Sequence, residues 1–518
     1  TGTSATATAR SSTPGSTPPT STREVLKSDY LSPRDMHGYG THTVSTAAGS
    51  AVEEGASFYG LASGTARGGV PRARIAVYKS IWTSAGTGTT ATVLAAIDDA
   101  IHDGVDVLSM SIDQPGENSF GALPAVQKGI AVVPQTVVNA APWVITVAAS
   151  KIDRSIPTVI TLGNKQQIVG QSLYYQEKNS SSKSIFRSLA SGDLCTKDVL
   201  NGTDLGGKIV LCFPQGAVEQ VPMPLFTFQK ALQNIQNAGG SGIIYAQYTT
   251  DTLEGTATCN GIACVLVDLD TGNKIVEYMS ATSSPVAKIE PARTFTSKEL
   301  LAPKVAAFSA RGPSIYYADI IKPDIAAPGA SILAAKGNSY VTGSGTSMAT
   351  PHVAGTIALL KALHPEWSPA ALKSVETLTL TRQLIRLIYD IEPSEYNKYY
   401  GCAISRTTVS CNRTSVSGYH LNLPSISVPD LRHSISISRT VTNVGEVDAV
   451  YHAAIQSPPG VKMDIEPSVL VFNATNKFHT FQIKNYTFGS LTWHSGQKTV
   501  RIPIAARTTM YDFYADVA

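Results

Sequence analysis

The run Gly343-Ser344-Gly345-Thr346-Ser347-Met348-Ala349-Thr350-Pro351-His352-Val353-Ala354-Gly355 sets one hydroxyl among small residues, just ahead of a helical pattern of Ile357, Leu359, Leu360 and Leu363. Pro351 suits a helix only near its first turn, where a missing N–H costs little. This spacing puts Ser347 at a helix N-terminus with an exposed hydroxyl, beside backbone N–H groups that lack an intrahelical acceptor and at the positive end of the helix dipole. Negative charge on an attacked carbonyl oxygen is stabilised there, with the Ser347 N–H as one donor. The chemistry allowed is acyl transfer by a serine nucleophile. A plain N-cap is the commoner role for a lone serine before a helix. A G-x-S-x-G elbow is excluded, because Ala349 holds its last place.

Such a serine needs a rigid frame, and the chain supplies alternating elements. Ile75-Ala76-Val77-Tyr78 reads as a buried strand. Val93, Ile97 and Ile101 follow at helical spacing and stop at Gly104, a natural C-terminal cap. Val105-Asp106-Val107-Leu108 opens the next strand, and Ile130-Ala131-Val132-Val133 and Val144-Ile145-Thr146-Val147 are further apolar runs of strand length. This alternation predicts an α/β domain built on a doubly wound parallel sheet. Near residue 165 the texture turns polar, and near Pro303 the first texture resumes, so residues 166–295 read as an insertion between two parts of one domain, 23–165 and 296–400. From 415 to 510 the pattern is period two, as in Ile435 and Ile437 or Val500, Ile502 and Ile504, which predicts an all-β sandwich. Residues 1–22 hold 13 Ser or Thr and no apolar side chain larger than Ala, and read as a disordered tail.

Composition agrees with this division. The chain has 518 residues, 43% hydrophobic and 15% charged, with a net charge of +3. That is material for about three domains. The weak charge gives no reason to expect nucleic acid or an anionic membrane as partner. No apolar run approaches the roughly 18 residues of a membrane span.

The serine run resembles the nucleophile motif Gly-Thr-Ser-Met-Ala-x-Pro-His of the subtilisin-like serine proteases and matches every fixed position. Ser32-Pro33-Arg34-Asp35, Gly40-Thr41-His42-Thr43, Phe308-Ser309-Ala310-Arg311-Gly312-Pro313 and Lys322-Pro323-Asp324-Ile325-Ala326-Ala327-Pro328-Gly329 resemble segments of the plant, cucumisin-like branch. The resemblance implies a subtilisin-like domain interrupted by a protease-associated (PA) domain and followed by a fibronectin-III-like β-sandwich. It implies a secreted, glycosylated endopeptidase of the extracellular space, or cell wall, with Ser347 as nucleophile. It also implies that Ser111 and Ile112, closing the run Leu108-Ser109-Met110-Ser111-Ile112, border a groove for an extended peptide or protein substrate. The PA domain would control access or mediate homodimerisation. The resemblance calls for no cofactor, and no acidic cluster supports a metal site.

The family triad runs Asp, His, Ser, and this chain departs from it. In Gly38-Tyr39-Gly40-Thr41-His42 the place of the general-base histidine is held by Tyr39, while His42 is the motif's second, non-catalytic histidine. A phenol of pKa about 10 is a poor base at neutral pH. His37 would need a different backbone path to replace it. The only Asp in residues 1–34 is Asp29, in no Asp-bearing strand, and Val267-Asp268-Leu269-Asp270-Thr271-Gly272 imitates the triad motif inside the insertion. The loop that should carry the oxyanion Asn after Val133 is missing, and Asn139 belongs to the segment beyond it. The stretch after Lys373-Ser374 is also short. In subtilisin, loss of the His lowers kcat by roughly 10⁶ and loss of the Asp by roughly 10⁴. The expectation is a serine endopeptidase by family that is impaired or inactive, with a secreted pseudoprotease or peptide-binding protein as the alternative.

Cys195, Cys212, Cys259, Cys264, Cys402 and Cys411 fall as neighbours, which suits local disulfides, free buried thiols being the other reading. Sequons at Asn179, Asn201, Asn412, Asn473 and Asn485 share their stretches, and together they favour an oxidising, secreted setting.

Overall fold

The computed structural model describes residues 8–11, 29–30, 32–82, 90–112, 119–134, 139–175, 184–213, 224–247, 259, 261–297, 304–314, 316–378, 387–404, 417–431, 434–456, 463–484, 489–496 and 498–508. Three strand pairs of the first domain run parallel: Thr8–Ser11 with Ala76–Lys79, Val107–Met110 with Ala131–Pro134, and Val147–Ser150 with Ile325–Pro328. A bond from Ile145 N to Val132 O at 3.0 Å joins the second pair to the third. Strands buried on both faces are apolar throughout, and Ala131, Val132, Val133, Val147 and Ala149 are almost wholly enclosed. The helix Thr90–Asp103 buries Val93, Ala96, Ile97 and Ala100 along one stripe and ends where Gly104 turns to φ +69°. The helix Thr346–Leu363 packs against Val107–Met110, Ala131–Pro134, Val147–Ser150 and Ile325–Pro328 together.

Two expectations are corrected here. The tail predicted to lack structure contributes the strand Thr8–Ser11. A backbone ladder needs no apolar side chain, and the edge of Ala76–Lys79 offers it unpaired N–H and C=O groups. The apolar run Val144-Ile145-Thr146-Val147 is not itself a strand. Pairing starts at Val147, because side chains from elsewhere hold the preceding backbone, as described below.

The insertion is a closed barrel of seven strands whose order begins at Gln167–Gln171 and passes through Ala263–Asp268, Gly242–Gln247, Ile209–Cys212, Arg187–Asp193 and Val286–Ile289 to Pro157–Leu162. Its first strand, Pro157–Leu162, precedes the change of texture at residue 166, because that strand alternates half-buried and buried residues and pairs with both Gln167–Gln171 and Val286–Ile289. The chain enters and leaves through one antiparallel ribbon, Arg154–Ser155 with Phe295–Thr296. A second apolar cluster, where the other face of three barrel strands meets the helix Pro224–Asn237, is continuous with the first domain: Phe58 and Leu61, from the hairpin Val52–Phe58/Leu61–Ala66, belong to it, and Leu333 and Val341 pack against it.

Cys195 pairs with Cys212 and Cys259 with Cys264. Cys402 is also disulfide-bonded, and Cys411 lies outside the described residues. Neighbour pairs are what the order along the chain suggested.

The C-terminal sandwich has a five-stranded sheet ending in Lys498–Thr508, Gly489–Ser495, Ala449–Gln456 and Val469–Phe472, and a four-stranded sheet built on Ser436–Asn443 and Phe478–Lys484. Trp493, Phe481, Phe472 and Leu491 fill its centre. Leu387–Ile388, placed by sequence in the second part of the first domain, pairs with Thr442 and Asn443 as an edge strand of this sandwich.

Candidate active site

A hairpin, Ile332–Lys336 with Ser339–Gly343, delivers the serine segment. Gly345 N then donates to Gly329 O at 2.8 Å, and the helix begins at Thr346. Gly329 is a matter of space: a Cβ there would lie 2.6 Å from the Ala149 Cβ and 2.7 Å from Gly345 O. Ser347 is the second helical residue, not the cap, and only 4% exposed, whereas the sequence reading placed its hydroxyl in the open. Pro351, inside the helix, has no N–H to return to the carbonyl four residues earlier, which is that of Ser347. Ser111 Oγ donates to that carbonyl instead, at 3.0 Å.

The histidine segment is the helix Tyr39–Ala48. Asp35 fixes its start: Oδ1 accepts from Gly38 N at 2.7 Å, and Oδ2 accepts from Thr41 N at 2.7 Å and Thr41 Oγ1 at 2.9 Å. Gly38 sits at φ +82°, where its missing Cβ would also meet Lys336. Tyr39 is the first helical residue and 40% exposed. His42 is 3% exposed, and its Nε2 donates to Ile332 O at 3.0 Å. Its Nδ1 has no hydrogen-bond partner among the described residues. Burial lowers its affinity for a proton, and only the backbone carbonyls oppose this. His352 is likewise engaged, Nδ1 donating to Met348 O at 2.9 Å, and burial lowers it too. The two helices meet through residues without bulk: a Cβ on Gly355 would lie 3.3 Å from Ala47 O and 3.4 Å from the Gly69 Cα.

The two carboxylates that the sequence reading named and set aside are engaged elsewhere. Asp29 pairs with Lys79 at 2.8 Å in a buried setting, and Lys79 donates also to Tyr30 O and Arg34 O. Asp268 caps the helix Leu269–Ser280, accepting from Thr271 N at 2.8 Å.

Of the two residues expected at a substrate edge, Ser111 lies directly beside the serine. Ser111 touches the Ser347 carbonyl, and Ile112 O accepts from Asn139 Nδ2 at 3.2 Å. Behind them lies a cluster that sequence reasoning missed. Asp324 accepts from Lys322 at 2.6 Å and from Lys373 at 3.0 Å, with all three side chains at most 4% exposed. Lys322 also donates to Val144 O at 2.8 Å, and Lys373 to Pro142 O at 2.9 Å and Val144 O at 3.1 Å. Burial pushes the Lys322 ammonium down to about 7. Burial would raise the Asp324 carboxyl, but the two ammonium groups outweigh it and hold it low. The available signal was two lysines and an aspartate in otherwise apolar stretches, a composition that interiors accept only when the charges are paired.

Of the sequons, Asn201 is exposed in a turn after the helix Lys197–Leu200, and Asn473 is exposed with its Oδ1 accepting from Thr475 Oγ1 at 2.8 Å. Asn179, Asn412 and Asn485 lie outside the described residues. Among the described residues no group of three His, Cys, Asp or Glu side chains comes together, and no helix is long and apolar enough to cross a membrane.

The sequence profile of the subtilase family matches residues 20–401, and that of a fibronectin type-III domain matches residues 420–506. Subtilisin-like protease SBT3.2 of Arabidopsis thaliana is 39% identical over 580 residues, covering 94% of this chain and 77% of that protein. Subtilisin-like protease SBT3.5 of the same plant is 38% identical over 578 residues, covering 94% and 73%. Among solved structures, Sphericase matches 66% of this chain and 68% of its own at 21% identity, with a TM-score of 0.29, too low to add to the fold described above.

Proposed function

The chain belongs to the subtilase family of subtilisin-like serine proteases, and on that premise we propose that it is a secreted protease scaffold that holds an extended peptide along Ser111 and Ile112 but turns it over poorly or not at all. The observation that carries this reading is Tyr39, standing first in the helix where the family has its imidazole, with His42 turned inward to the Ile332 carbonyl. Ser347 keeps its place in the first turn of the helix, where the positive end of the dipole favours an oxyanion. What differs is the group at the family's general-base position: the Tyr39 phenol, of ordinary pKa about 10, is a poor base at neutral pH, and a serine that is not activated by a base is a weak nucleophile. The neighbour disulfides and the exposed sequons Asn201 and Asn473 support secretion and glycosylation. In the same reading the inserted barrel is the family's PA domain, and any homodimer forms through it.

The test is reaction of the purified protein with a fluorophosphonate probe, with the modified residue located by mass spectrometry. Labelling of Ser347 is expected to be slow and absent in Ser347→Ala. Tyr39→His is expected to raise its rate about 10²-fold, the ratio between losing the His and losing only the Asp in subtilisin. Rapid Ser347-dependent labelling of the unaltered protein at neutral pH would overturn the reading.

A further inference from the structure

We propose that Lys322, Asp324 and Lys373 are positioning residues that hold the peptide edge, Ser111 and Ile112, in register with Ser347; this rests on reading that edge as the groove wall. The three charges serve one short segment. Lys373 spends its donors on Asp324, Pro142 O and Val144 O. Lys322 donates to Asp324 and to Val144 O, and Asp324 Oδ2 accepts from Thr146 N at 2.7 Å. Asp324 N also returns to Thr146 O at 2.9 Å. The carbonyls of Pro142 and Val144 and the N–H of Thr146 are therefore satisfied by side chains, and the apolar run of strand length begins its sheet pairing only at Val147.

From this segment a relay of hydrogen bonds leads to the groove. Thr146 Oγ1 donates to Asn139 O at 2.6 Å, and Asn139 Nδ2 donates to Ile112 O at 3.2 Å. The adjoining Ser111 holds the Ser347 carbonyl. Burying three charges is a poor way to gain stability, since well-packed apolar groups of similar volume often do as well or better. What a fully hydrogen-bonded charge cluster supplies is a fixed geometry, because each ammonium proton and each carboxylate lone pair demands a partner in one place. Extended peptides bind a strand edge through backbone hydrogen bonds. Displacing that edge by about 1 Å is enough to lose them.

The relay can be cut without touching the charges. Thr146→Val keeps the side-chain shape and removes the hydroxyl, whereas Thr146→Ser restores it. Three readouts apply to the full chain: affinity for a panel of fluorescein-labelled hexapeptides by anisotropy, fluorophosphonate labelling of Ser347, and amide hydrogen exchange over residues 107–112. Thr146→Val is expected to weaken peptide binding at least 10-fold and to speed exchange over 107–112, with the labelling rate unchanged within twofold. Thr146→Ser is expected to match the unaltered protein. Asp324→Asn is expected to reproduce the faster exchange, and where it fails to fold the threonine pair still decides. Unchanged affinity and unchanged exchange in Thr146→Val would overturn the proposal. If the unaltered protein bound no peptide of the panel while Thr146→Val still loosened 107–112, the positioning role would stand and the groove reading would fall.

Discussion

Pro351 deletes the amide that would close the helix onto Ser347, and Ser111 takes its place from just past the strand Val107–Met110, 236 residues away along the chain. A single imino acid thus opens a helical carbonyl to a tertiary partner, and the partner borders the proposed groove. Glu376 shows the opposite situation, a charge poorly provided for. It lies on the helix Pro369–Leu378, where burial pushes its carboxyl up to about 7. An unfolded Glu loses its proton near 4.3, so the folded state binds the extra proton between these values. Stability therefore falls as pH rises from about 4.5 to 7. Glu376→Gln removes the charge, and its unfolding free energy should exceed that of the parent at pH 8, by an amount on the order of 2 kcal/mol, with a correspondingly higher melting temperature, and equal it at pH 4. Equal shifts at both pH values in thermal melts would contradict this.

Among the elements, the helix Tyr39–Ala48 depends on its first turn. Asp35 accepts two backbone N–H groups and a hydroxyl there, in the manner of a capping side chain placed just upstream. Asp35→Ala should cost about 1–2 kcal/mol and lower the melting temperature by a few degrees, with Asp35→Asn retaining most of the loss; calorimetry reads the difference, and an unmoved Asp35→Ala would deny the cap. Elements with local causes were legible in the sequence. The helix Thr90–Asp103 stopped at Gly104 as its pattern required, and the strands ending at Lys79, Met110 and Pro134 lay within two residues of the apolar runs that marked them. Elements with distant causes were not. Val144–Thr146 carries a strand pattern yet is held by Lys322, Lys373 and Asp324, and Leu387–Ile388 joins a sheet whose other strands come much later. In the site, Ser347, Ser111 and Ile112 were singled out through the family resemblance, and the structure sets Ser111 against the Ser347 carbonyl. The relay through Thr146 and Asn139 was not, because its members belong to no common local pattern. The burial of His42 also escaped, since the carbonyl that receives its Nε2 lies 290 residues further on.

At the scale of the whole molecule, the three bodies are joined by more than linkers. Arg439, 1% exposed, donates to the carbonyls of Tyr419, Leu423 and Ser425, which fastens the approach segment to the sandwich. The barrel has its ribbon at Arg154–Ser155 and Phe295–Thr296, and Arg154 donates from there to Ser331 O at 2.7 Å. It also shares a core with Phe58, Leu61, Leu333 and Val341. Excising residues 157–294 and joining the ribbon would close the chain neatly and yet expose those four side chains. The expected product elutes as soluble aggregate in size-exclusion chromatography, and a monomer with an unaltered melting transition would refute the shared core. The same contact has a mechanical side. A body anchored at a narrow ribbon and packed along one flank has two points of attachment rather than one, and the second, Val341, lies on the strand that leads directly into the Ser347 segment.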